Sequence, residues 1–248
     1  MGKVNLTVSD GVALVELASP DVKNALDVSM AGELVEVCET IDSDKRIGAA
    51  VVFGAGGTFC SGAQRGLLAA IGEAPLEESN YEALGLIYRS FTRFGELKVP
   101  SVAAVRGAAV GAGVNLLLAA DMRILADDAR IISGFLRIGL HPGGGHFGLL
   151  GRSAGREAAA ALGIFGMEVT AARAVELGMA WQSAPDNQVE EIAKECATRA
   201  ARDPELARLA IASLRTELGP PSLSWPAGLA VERAPQLWSM VRRSDSSK

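Results

Sequence analysis

The chain has 248 residues, 49% of them apolar and 21% charged, a balance that fits a folded globular protein and excludes a disordered one. Its net charge of −5 and pI near 5.2 argue against non-specific nucleic-acid binding, which draws on a basic surface. Three scattered cysteines and two histidines, with no CxxC or Cys/His cluster, leave no spacing for a zinc or iron–sulfur site and suit a reducing cytoplasm.

In chain order, no apolar leader follows Met1, so no secretory signal is expected. Val4–Val8 and Val12–Leu17 read as two short strands joined by a turn at Asp10-Gly11. Asp27 is a plausible N-cap, and Met30, Leu34, Val37, Cys38 and Ile41 then recur at helical intervals. The apolar, β-branched run Ala49–Phe53 predicts a buried strand. It leads straight into Gly56-Gly57-Thr58-Phe59-Cys60-Ser61-Gly62-Ala63. Residues 66–80 are mixed and acidic and read as a loop walling a pocket; Tyr81–Glu96 has a helical pattern.

Val99–Val105 predicts the next strand, followed by a second glycine-rich turn from Arg106 to Gly113. Leu116–Ala120 continues as a buried helix. The whole apolar stretch from Val114 is far short of a membrane span. Met122–Leu125 and Ala129–Ile132 read as short strands. Beyond Arg156 the patterns are helical: Glu157–Ile164, Ala171–Leu177, Val189–Arg199, Pro204–Leu218 and Trp225–Val241, ending in a polar, frayed tail at 242–248. The organisation is an α/β core over residues 1–190 and a helical region over 191–248, with no clear linker.

Four stretches offer chemistry. The two glycine-rich turns each present bare backbone N–H groups where a turn opens into a helix. Two such groups converging on one point form an oxyanion hole, with Ala63 and Ala112 as candidate donors; the alternative is that these glycines only make tight turns. Gly111-Ala112-Gly113 also follows a strand as a dinucleotide fingerprint does, but Leu116 stands where that pattern needs its third glycine. Gly143, Gly145 and Gly148 match the fingerprint by letter, with no convincing strand before them.

Gly151-Arg152-Ser153-Ala154-Gly155 matches a nucleophile elbow by letter, yet it too lacks a preceding strand, and no histidine follows His146. The run Gly139–His146 carries both histidines. His141 is a candidate acid/base group, whereas a capping or backbone-bonding role suits His146 better. Cys60 reads as a small buried thiol, and Glu73, Glu77, Glu78 and Asp121 as surface charges or structural caps.

Several motifs occur together and in order: Ser19-Pro20-Asp21-Val22-Lys23-Asn24-Ala25-Leu26, Phe59-Cys60-Ser61-Gly62-Ala63, Val105-Arg106-Gly107 through Gly113 with Ala120-Asp121, Ile138-Gly139-Leu140 with Pro142-Gly143-Gly144-Gly145, and Ala171–Met179. In this order the chain resembles the crotonase (enoyl-CoA hydratase/isomerase) superfamily from about Val4 to about Met240, where many members continue into a further basic helix. The resemblance implies a spiral of ββα units with a helical C-terminal trimerisation region, assembled as a trimer or a dimer of trimers. It implies an acyl-CoA enzyme of lyase or isomerase type in fatty-acid metabolism. No cofactor is implied beyond the coenzyme A of the substrate.

By the same resemblance Ala63 and Ala112 supply the oxyanion N–H groups, with Ser61, Gly62 and Gly111 beside them. Lys23 and Ala25 lie near the nucleotide, and residues 64–80 near the acyl chain. Gln64 replaces the usual aspartate. Asn115 and Phe135 stand where hydratases of the family place their two glutamates. Neither residue exchanges a proton, so simple hydration is not expected, and His141 becomes the acid/base candidate with Asn115 to orient a water or carboxylate. The alternative is a non-catalytic acyl-CoA binder in which Phe135 packs on the acyl chain; a nicotinamide oxidoreductase is a more distant one.

Overall fold

The computed structural model describes residues 3–219 and 221–245. Asp10 and Gly11, both at positive φ, turn β1 (Val4–Ser9) back onto β2 (Val12–Leu17) as an antiparallel hairpin. From β2 the sheet grows by parallel strands: β3 (Ala49–Gly54), β4 (Ser101–Val105), β6 (Met122–Ala126) and β9 (Gln182–Ala184). Every residue of β4 is buried and only Phe53 of β3 is partly exposed, as expected of strands covered on both faces. A smaller sheet joins β5 (Ala108–Val110), β7 (Arg130–Ile132) and β8 (Glu168–Thr170).

Helices cover the sheet. The Asp27 carboxylate accepts the Met30 N–H and starts α1 (Val28–Ser43), which buries Met30, Leu34, Cys38 and Ile41. Next come α2 (Arg65–Glu73), α3 (Glu78–Gly95) and α4 (Ala112–Ala119), with α3 packed between α1 and α4. The helices α5 (His146–Gly163) and α6 (Ala171–Glu176) follow. Helix α7 (Val189–Ala201) lies across β3, β4 and β6, burying Val189, Ala193, Ala197 and Ala201. Helices α8 (Pro204–Leu218) and α9 (Trp225–Asp245) pack on each other. No helix among the described residues is long and apolar enough to cross a membrane.

The architecture is α/β, and the long elements fall where expected. The segment read as a loop at 66–80 differs: it holds α2 and the start of α3, since Leu67, Leu68 and Ile71 have helical spacing that Gly66 and Gly72 obscure. Helix α5 begins at His146, well before Glu157, and is interrupted at Gly155 (φ 80°, ψ 174°), so only its second half showed as a pattern. Strands β5, β8 and β9 were not anticipated; three residues are too few to reveal an alternation. The tail is helical to Asp245, and 246–248 lie outside the described residues.

Candidate active site

The first glycine-rich turn is fixed by a loop earlier in the chain. Asn24 is fully buried at φ 53°. Its Nδ2 donates to the Ala55 and Thr58 carbonyls at 2.9 and 2.7 Å, and its Oδ1 accepts the Ser19 N–H at 2.9 Å. Beyond that anchor the chains run together: Ser61 N–H donates to Lys23 O (3.0 Å), Leu26 N–H to Gly62 O (2.8 Å) and Gln64 N–H to Leu26 O (2.8 Å). Lys23, Ala25, Ser61, Gly62 and Gln64 are thereby brought to one ridge, with Lys23 and Gln64 exposed.

The second turn is zipped to the first. Phe59 N–H donates to Arg106 O, Cys60 N–H to Ala108 O and Val110 N–H to Cys60 O. Two glycines permit the approach. At Gly62 (φ 92°) a Cβ would lie 2.7 Å from Val110 O and 3.5 Å from Ala112 N. At Gly113 it would run into the Cys60 carbonyl and sit 2.9 Å from Cys60 Cβ. Ala112 opens α4 behind Gly111, and a first-turn N–H has no partner within its own helix. Neither Ala63 nor Ala112 donates any of the backbone bonds that hold these loops. From behind, Arg106 ties the second turn to Asp186 and Glu190.

Beside Ala112 runs a buried polar chain. Asn115 Nδ2 donates to Gly143 O at 3.0 Å, which leaves its Oδ1 facing His146 Nδ1 at 2.7 Å. An amide oxygen only accepts, so the His146 proton sits on Nδ1 and Nε2 is the acceptor for the Ser133 hydroxyl at 2.8 Å. Asn115, Ser133 and His146 are all at most 2% exposed. The Phe135 ring meets the imidazole edge-on at 4.9 Å between centroids. Burial pushes the His146 imidazole down to about 4.

This order of hydroxyl, imidazole and amide is that of a nucleophilic triad. An amide cannot stabilise an imidazolium as a carboxylate does, and a base near 4 removes little of a serine proton at neutral pH. The chain therefore serves as a neutral framework.

Asn115 thus meets His146, not His141. His141 is exposed, and its Nδ1–H donates to Pro142 O at 2.7 Å. Glu73, Glu77 and Glu78 are exposed, and Asp121 is held by Arg215 and Ser101. Burial drives the Cys60 thiol up to about 12, so it is no thiolate at neutral pH. Residues 151–155 lie within α5 with no strand before them, which removes the elbow reading. Ser133 carried no signal in the sequence, and His146 only the composition of its loop.

The family model for enoyl-CoA hydratase/isomerase matches residues 7–224. A Mycobacterium tuberculosis protein named "Probable enoyl-CoA hydratase" is 38% identical over 220 residues, 89% of this chain and 84% of that one. The 1,2-epoxyphenylacetyl-CoA isomerase of Escherichia coli is 30% identical over 197 residues, 79% of this chain and 75% of that one. Among solved structures, an enoyl-CoA hydratase from Bacillus anthracis superposes with a TM-score of 0.84 at 26% identity, covering 94% of this chain and 89% of that one. Sequence and fold agree over most of the length on both sides of each comparison: the chain belongs to the enoyl-CoA hydratase/isomerase family.

Proposed function

We propose that the chain binds an acyl-CoA and stabilises the enolate of its thioester between the Ala63 and Ala112 N–H groups. Proton loss at Cα builds negative charge on the thioester oxygen, and one well-placed donor is worth about 3 kcal/mol there. The observation that carries this reading is the zipping of two glycine-rich turns that leaves both alanine N–H groups outside the loops' own bonding. Lys23 and Ala25 flank the nucleotide end, while Ser61, Gly62, Gln64 and Gly111 line the cleft. Phe135 packs against the acyl group. His141, whose Nδ1 is turned to the Pro142 carbonyl, is the proton carrier through Nε2, and Asn115 acts by holding its surroundings in place. Neither Asn115 nor Phe135 can activate a water, so hydration of a simple enoyl-CoA is slow, and the enzyme is read as a lyase or isomerase of another kind that does not draw its proton carrier from these two positions.

The exposed apolar residues Leu214, Leu218, Leu229, Leu237 and Met240 on α8 and α9 are the proposed contact between copies in a trimer or a dimer of trimers.

A second reading, a binder without turnover, is favoured by one observation: Asn115, His146 and Phe135 meet with no carboxylate among them, and both polar ends of Asn115 are taken by the protein. Incubation of an acyl- and enoyl-CoA panel in D₂O, followed by mass spectrometry, separates the two. Deuterium at Cα, lost in His141→Ala, supports the enzyme with His141 as carrier. Tight binding with no mass change in any ligand overturns it in favour of the binder.

A further inference from the structure

We infer that His146 is the positioning residue of the Gly111–Ala112 turn, the clamp that sets where the Ala112 N–H points. The inference rests on the reading of Ala112 as a thioester donor. The turn is held on two sides. On the strand side, Gly111 N–H donates to Ile132 O at 3.0 Å, and Ser133 is the next residue. On the helix side, Asn115 and Val114 N–H groups donate back to Gly111 O at 3.2 and 2.9 Å. These bonds all pass through Gly111 itself, and none of them joins Ser133 directly to Asn115.

The imidazole of His146, from a third element, closes the gap: it takes the Ser133 hydroxyl on one nitrogen and gives its proton to Asn115 on the other. The result is a closed ring of contacts through Gly111, Ile132, Ser133, His146 and Asn115. A neutral imidazole suits the task because it offers one donor and one acceptor at opposite edges of a rigid plane. Burial keeps it neutral, and the edge of Phe135 against it limits tilting.

A clamp on Ala112 differs from general structural support in what it changes. It sets the preference for ligands that carry a carbonyl, not affinity for the rest of coenzyme A. The test is calorimetric binding of butyryl-CoA against S-butyl-CoA, a thioether without the carbonyl oxygen. Wild type is expected to favour the thioester by about tenfold or more, the scale of one hydrogen bond. His146→Phe keeps the ring volume but leaves the Ser133 hydroxyl and the Asn115 Oδ1 without their partner, and should bring that ratio close to one. His146→Gln, whose amide restores one donor and one acceptor, should keep most of it. Ser133→Ala opens one arm only and should lower the ratio by a few-fold; it carries the test if His146→Phe does not fold.

A full ratio retained in His146→Phe, or in Ser133→Ala where the former is unfolded, overturns the clamp and leaves the oxyanion reading intact. No preference in wild type, or no binding of either ligand, overturns the oxyanion reading and the clamp with it. Equal loss of affinity for both ligands, with the ratio unchanged, marks His146 as structural support and also overturns the clamp.

Discussion

His146 is a titratable group that the folded chain keeps from its proton. In the unfolded chain it takes one near its ordinary 6.5, and in the fold only near 4. Protons therefore favour the unfolded state between those values: the contribution is complete above about 6.5 and falls as the pH drops towards 4, by on the order of 3 kcal/mol in all. Urea unfolding of wild type and His146→Gln at pH 7.5 and 4.5 isolates it, since the carboxylates that titrate in the same range are common to both. The variant should lose markedly less stability on acidification. Equal losses would mean that water reaches the imidazole and relaxes the burial that depresses it.

At the level of elements, glycine has opposite meanings in two neighbouring helices. Gly85 sits inside α3 with nothing within 4 Å of where a Cβ would stand. Gly85→Ala should stabilise the protein by about 1 kcal/mol through helix propensity alone. Gly113 is in the first turn of α4, where the same change drives a methyl into the Cys60 backbone. A carbonyl in a zipped turn cannot step aside as a flexible side-chain tip can. Gly113→Ala should therefore cost about 2 kcal/mol and shift the Ala112 N–H. Thermal melts of the two variants should move in opposite directions.

The same contrast shows what the sequence could convey. The glycine-rich turns were legible because close backbone approach demands glycine, and β3 and β4 because strands covered on both faces are apolar throughout. The polar chain was not. Its members are 13 and 31 residues apart, just past β7, on α5 and on α4, and no local pattern encodes a hydrogen bond between elements. For that reason the sequence pointed to the composition of the loop that carries His141 and His146, and not to the buried bonds of His146. Helix α2 was hidden by its glycines, and strands β5, β8 and β9 by brevity.

Across the whole molecule, two arginines of α8 tie that helix to the earlier half of the chain. Arg208 gathers the carbonyls of Ile41, Asp44 and Ile47 at 2.9–3.1 Å, capping the C-terminal end of α1 and the turn after it. Arg215 pairs with Asp121 and reaches the Leu97 carbonyl. Arg208→Met leaves those carbonyls without their cation, a loss of about 2–3 kcal/mol. Hydrogen exchange should quicken over residues 204–218 and in α1's last turn, while β3 and β4 stay protected. Uniform acceleration across the chain would instead make α8 part of a single cooperative unit.

One stitch reaches further than its size suggests. Three backbone hydrogen bonds make the loop around Lys23 and the turn around Gly62 a single piece of chain. Stiffening one stiffens the other, so if the ligand is the acyl-CoA proposed above, a hold on its nucleotide end would be felt at its thioester. On that reading a fragment that reaches only the Gly62 turn should meet a looser surface than the whole ligand does.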